Sequence, residues 1–243
     1  MKEIILQMRN VTKKYHGKAA VDNVSMTINR GDIYGLIGRN GAGKTTLMRI
    51  IAALTSTDSG EIELFGETSV AGLNEAKKKI GCVIETPAFY PNLSAAQNLE
   101  YYRILMDIPD KSIIEQILHT VGLIDTGKKR FKHFSLGMKQ RLGLALVLLS
   151  NSEFIILDEP MNGLDPIGIV EMRETFKKLN QEHCATIMIS SHILSELSMT
   201  ATHYGIINNG KMIKELTNEE LSEIGDNLED YFISLVRKEK ESC

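Results

Sequence analysis

The chain has 243 residues, 43% of them hydrophobic and 24% charged, an ordinary globular composition with length enough for a sizeable core. With 28 basic against 31 acidic side chains and a formal net charge of -3, it has no global basic field to gather nucleic acid, and basic runs such as 77–79 and 128–130 read as solvated faces. The longest apolar run, 142–149, falls well short of the ~20 residues of a spanning helix, the first residues hold no signal-peptide core, and Cys82, Cys184 and Cys243 lack metal-ligand spacing. A reduced, intracellular, single-domain protein is predicted, with any membrane role falling to a separate partner.

Alternating apolar residues predict strands at 4–11 and around Val24, Met26 and Ile28, closed by a turn at Gly31 and Asp32. The stretch IYGLIG then runs into a glycine-rich turn and a helix over 45–54, followed by strands at 61–65 and 80–84. A mostly helical middle opens with a capping-box pattern from Ser94 to Gln97 and includes a helix ending near Gly122 and another over 136–149. A parallel-sheet pattern resumes with FIIL at 154–157, a helix after Pro166, a strand at 185–190 and a hairpin around Asn208, Asn209 and Gly210. A second capping box, Thr217 to Glu220, opens a tail whose helix over 228–237 offers apolar residues to the core or to a partner. Buried strands alternating with helices, interrupted by a helical insert, predict an α/β core carrying a helical lobe.

The octapeptide GRNGAGKT, from Gly38 to Thr45, satisfies G-x-x-x-x-G-K-[ST] in full between a strand and a helix. Triphosphates need backbone N–H groups at close range, which side chains at Gly41 and Gly43 would obstruct, and the following helix presents its positive end. Lys44 would reach the β and γ phosphates, and the Thr45 hydroxyl would ligate Mg2+. In FIILDEP, Asp158 and Glu159 end an apolar strand on the side where open α/β sheets bind ligands. Asp158 would hold Mg2+, through water, and Glu159 would orient or deprotonate the attacking water. By themselves His192, after a strand, and Tyr15, in a turn, read as structural residues.

Together these motifs resemble the ATP-binding cassette ATPases, the nucleotide-binding subunits of ABC transporters, from Tyr15 to about residue 215. The resemblance implies a P-loop NTPase (RecA-like) α/β core with an N-terminal antiparallel β subdomain and an inserted helical subdomain. It divides the chain into a core at 1–85 and 154–215, a helical part at 86–153 and a tail at 216–243. Tyr15 is similar to the aromatic that stacks on adenine, and Gly38, Arg39, Asn40, Gly41, Ala42, Gly43, Lys44, Thr45 and Thr46 to the phosphate loop. Asp158 and Glu159 match the Walker B acid and the catalytic glutamate, His192 the switch histidine, and Asp165 in NGLDP the D-loop at a dimer seam. FSLGMKQR, from Phe134 to Arg141, stands where the family has its signature. Ser135 and Gly137 keep the hydroxyl and bare backbone that cap the γ phosphate of an ATP held by the opposite subunit. Leu136 and Met138 depart from the usual glycine and from the usual glycine or glutamine.

With one phosphate loop and one signature, the resemblance implies a head-to-tail dimer, of two copies or with a related cassette, closing on two ATP and driving a separate transmembrane permease at the cytoplasmic face. Glu85 stands where the family usually has a glutamine that meets Mg2+ and touches the membrane subunit. With the following TPAFYPNL it resembles the ATPases of bacterial exporters that protect cells from lantibiotics and bacitracin. Glu85 is accordingly expected to contact Mg2+ when ATP is bound. Alternatives are another ABC-type multidrug exporter, a soluble ABC ATPase without a membrane partner, and a cassette that binds ATP without hydrolysing it.

Overall fold

Strands of two kinds of patterning sort into two sheets in the computed structural model, which describes residues 3–84, 88–224 and 228–241. β1 (Ile4–Tyr15) and β2 (Lys18–Asn29) mix buried and exposed positions, as half-covered antiparallel strands do. They form a long hairpin with Met8 opposite Met26 and Val11 opposite Val24. β3 (Ile33–Ile37) is buried at all five positions, and β4 (Ser59–Leu64) returns to pair with β1, giving an antiparallel sheet ordered β2-β1-β4.

The second sheet contains β5 (Ile80–Val83), β6 (Phe154–Leu157), β7 (Thr186–Ser191), β8 (His203–Asn208) and β9 (Lys211–Thr217) together with β3, in the order β5-β6-β7-β3-β8-β9. All neighbours are parallel except β8 and β9. β7 therefore separates β3, which leads into the glycine-rich turn, from β6, which ends in the two acids. Two strand spacings hold those ends about 10 Å apart, a gap that side chains must span.

Helices cover both faces of this sheet. α1 (Lys44–Ile51) buries Leu47 and Met48 in a cluster with Leu36, Ile156 and Met188 of the sheet and Val24 and Met26 of β2. The opposite face, through Ile155, Ile187 and Ile189, packs on Leu99 of α3 (Ala95–Leu105), Ile117 of α4 (Ile113–Thr120), Leu142 of α5 (Leu136–Leu149) and Phe176 of α6 (Pro166–His183). The period-two alternation of β6 explains the division: Phe154 and Ile156 join one cluster, Ile155 and Leu157 the other. α3, α4 and α5 lie between β5 and β6 in the chain, and both halves of the Ser94–Gln97 capping box are made.

Several bounds differ from those predicted. α1 stops at Ile51, short of Leu54, because Ala53 takes a φ of 56° and Ala53 and Leu54 turn their N–H groups back to the carbonyls of Ile50 and Arg49. α2 (Val70–Lys77), capped by Ser69, was not foreseen; Ala76 is its only buried residue, so no apolar stripe marks it in the sequence. A short α7 (Leu194–Ser198) follows β7, and α8 (Asn218–Ile224) and α9 (Leu228–Glu241) follow β9. Among the described residues no helix is long and apolar enough to cross a membrane.

Candidate nucleotide site

The phosphate loop needs its glycines. A Cβ on Gly38 would stand 2.5 Å from the Ile207 carbonyl oxygen, and one on Gly43, whose φ is 108°, would stand 2.4 Å from that of Ala20. No side chain caps α1 at Gly43, leaving the first N–H groups of the helix for an anion. Arg39, Asn40, Gly41 and Ala42 line a cavity of 560 Å3 with Gly38 and His192, while Thr46 lies half-buried on α1.

Lys44 is only 5% exposed; its Nζ donates to the Gly38 carbonyl at 2.7 Å and lies 3.2 Å from Oε1 of Glu159. The other oxygen of that carboxylate, Oε2, is 2.7 Å from Nδ1 of His192. Thr45 Oγ1 donates to Asp158 at 2.6 Å, and the Asp158 N–H donates to the Val83 carbonyl at 3.0 Å, keeping the acid beside β5. Lys44, Thr45, Asp158, Glu159 and His192 thus converge from three strand ends.

A residue the sequence reading passed over holds the two acids. The Ser190 hydroxyl donates to Asp158 and accepts the Glu159 N–H at 2.9 Å, with Glu159 in the left-handed region at φ 49°. A non-glycine residue held there costs about 1–3 kcal/mol and persists where its surroundings fix it. A pair of hydroxyl residues, Ser190 and Ser191, closing a mostly apolar strand just before a histidine was the available signal.

Tyr15 ends β1, paired with Lys18, and its ring is 42% exposed with Lys13 Nζ 5.5 Å from the ring centroid. Ser135 caps α5 by accepting the Met138 N–H at 3.3 Å, and Asp165 caps α6 by accepting that of Gly168 at 2.7 Å. Gln140 Nε2 ties the first turns of α5 to the Asn162 carbonyl at 3.0 Å. Ser135, Gly137, Met138 and Asp165 line one cavity of 690 Å3, which shares no lining residue with the cavity at Gly38 and His192. The phosphate-loop and signature residues thus line different cavities of one chain, while Leu136 and Gly163 of the signature cavity also line a third cavity with Asp158 and Glu159. Glu85 lies outside the described residues.

The sequence pattern of a family described as ABC transporter matches residues 21–162, from β2 through the phosphate loop and the signature to the acid pair. The chain belongs to the ABC transporter family. It is 46% identical over 217 residues to the bacitracin transport ATP-binding protein BcrA of Bacillus licheniformis, covering 89% of this chain and 71% of that protein. To the lantibiotic transport ATP-binding protein SrtF of Streptococcus pyogenes it is 43% identical over 237 residues, 97% of this chain and 99% of that one. A solved ATP binding subunit of an ABC transporter superposes with a TM-score of 0.82 at 25% identity, over 96% of this chain and 99% of that one. This ABC cassette is an ATPase, and such subunits dimerise and work with separate membrane permeases.

The donor atoms of this ABC cassette suit a hard cation. The Thr45 hydroxyl and the Asp158 carboxylate, hydrogen-bonded at 2.6 Å, are oxygen ligands of the kind Mg2+ takes alongside phosphate oxygens and water. Among the described residues no group of three or more His, Cys, Asp and Glu side chains gathers to hold a metal without such partners.

Proposed function

We propose that this cassette hydrolyses ATP with Mg2+ to power export of a peptide antibiotic of the bacitracin or lantibiotic type, through a separate permease at the cytoplasmic face of the cell membrane. The observation that carries the substrate class is the identity of 46% and 43%, over most of the chain, to cassettes named for bacitracin and lantibiotic transport. The test is susceptibility: cells producing the cassette with its permease should survive such a peptide, and cells with Glu159→Gln should not. Equal survival of the two, or protection only against unrelated drugs, would sink the substrate class.

In the site, the loop N–H groups and the Lys44 ammonium bind the β and γ phosphates. Thr45 and Asp158 would hold Mg2+, the latter through water, and the ion would neutralise charge developing on the phosphates. Glu159 takes the proton of the attacking water, and His192, 2.7 Å away, fixes the orientation of its carboxylate. Tyr15 offers its ring to adenine. Ser135 and Gly137, beside Met138 and near Asp165, complete the site from the opposite subunit, a reading supported by their lining a different cavity from the phosphate loop. ATP drives closure because it interacts with both halves only in the closed dimer. The dimer consists of two copies or of this chain and a related cassette.

Glu85 would meet Mg2+, directly or through water, when ATP is bound, in place of the glutamine amide usual in the family, since either oxygen suits a hard cation. Turnover and peptide resistance measured for Glu85→Gln and Glu85→Ala decide this; unaltered values in both variants remove the role.

A further inference from the structure

The cavity beside the phosphate loop has a wall that the catalytic reading does not use. Phe232 and Val236 of α9 line it together with Gly38, Asn40, His192 and Leu194. α9 is held there by buried Leu228, by Tyr231, Phe232 and Leu235 packed on the core, and by contact with α7. At the other half-site, Ile167 and Val170 stand 70% and 45% exposed on the first turns of α6. Three residues apart, they share one helix face. Ile167 also lines the signature cavity with Ser135, Gly137 and Asp165, and the Asp165 cap fixes the helix start from which both project.

We propose that Ile167 and Val170 of one copy dock into the cavity between the phosphate loop and α9 of a second copy. The inference rests on the head-to-tail reading above. If each signature cavity closes over the partner's phosphate loop, the start of α6, which borders that cavity, is carried to the partner's Gly38 and His192. There Phe232 and Val236 supply an apolar wall for two aliphatic side chains that otherwise face water. Two-fold symmetry makes the contact twice. α9 then belongs to the dimer seam, and nucleotide-driven closure is felt by the tail.

The test uses the full chain carrying Glu159→Gln, with dimer formation in ATP followed by sedimentation. Adding Ile167→Asp, an exposed change that leaves the monomer fold intact, should raise the dimer dissociation constant at least tenfold while ATP binding to the monomer stays within twofold. Val236→Asp should act likewise, and Ile167→Asp combined with Val236→Lys should recover much of the lost affinity. With the three native cysteines replaced by serine, Ile167→Cys with Val236→Cys should form an ATP-dependent link between subunits. A tight ATP dimer indifferent to Ile167→Asp, or one that never forms the link, overturns the docking and leaves the sandwich standing. No ATP dimer in the Glu159→Gln chain itself overturns the sandwich.

Discussion

His192 Nδ1 lies 2.7 Å from Oε2 of Glu159, joining the residue after β7 to the residue that follows Asp158 at the end of β6. The contact depends on strand order: β7 lies between β3 and β6, so its C-terminal end delivers His192 into the gap between phosphate loop and acids. Lys44 reaches the same carboxylate from the other side, at 3.2 Å. Glu159 is thus the shared group of the site.

Replacing Glu159 by glutamine keeps the shape and removes the proton acceptor. Phosphate release should fall by about 10²–10⁴-fold, while ATP binding persists and the nucleotide-bound dimer accumulates. Steady-state turnover and nucleotide titration check this together; a variant retaining most of its turnover would take Glu159 out of the chemistry.

Ser190 positions both acids without a place in the reaction itself. In Ser190→Ala the Glu159 N–H loses its acceptor and Asp158 loses a donor, and a partly buried N–H left unpaired costs at most about 1–3 kcal/mol. The expected result is a lower kcat with little change in ATP affinity and a Tm a few degrees lower. Ser190→Thr, which keeps the hydroxyl, should restore kcat; failure of that rescue would mean the side-chain volume, not the hydroxyl, matters.

Local chemistry was legible in the sequence where one segment determines it. The glycine pattern at 38–43, the capping boxes at Ser94 and Thr217, the Asn208-Asn209-Gly210 hairpin and the apolar strands each depend on neighbours within a few residues. Strand order was not legible, because parallel pairing such as Ile37 beside Ser191 joins segments far apart in the chain. Ser190 went unseen for that reason, since its value lies in Asp158 and Glu159 on another strand. β1 ran on past 11 to Tyr15 because its partner β2 continues the ladder to Lys18, which no alternation in KKY announces.

Gly43→Ala should damage both binding and folding. The added methyl would meet the Ala20 carbonyl oxygen at 2.4 Å, and the φ of 108° is foreign to alanine. Either the loop leaves its β2 neighbour or the start of α1 shifts, and each misplaces the N–H groups. Thermal denaturation should show a lower Tm and no upward shift on adding ATP, whereas a normal ATP shift would mean that the loop relaxes without losing its cradle.

Arg30 supports the site from the far end of the sheet, and its effect should depend on pH. Its guanidinium binds Glu3 of the segment before β1 at 2.7 Å and Glu153, just before β6, at 2.9 Å, pinning the antiparallel sheet to the strand that carries the acids. The hydrogen bond from Arg30 holds the Glu3 carboxyl below its ordinary value. For Glu153, burial pushes upward but Arg30 and Lys79 together pull it below the usual range. A carboxylate whose folded pKa is depressed stabilises the fold fully above its unfolded pKa, about 4.3 for glutamate, and that contribution disappears as pH falls through the folded value. Arg30→Gln should therefore lower Tm near pH 7 by a few degrees, modestly because the groups are partly exposed. The gap between wild type and variant should shrink as pH drops below about 4. Melting curves from pH 7 to pH 3 measure it, and a gap that stays constant over that range would show that Arg30 acts through packing of its stem, with its charge playing no part.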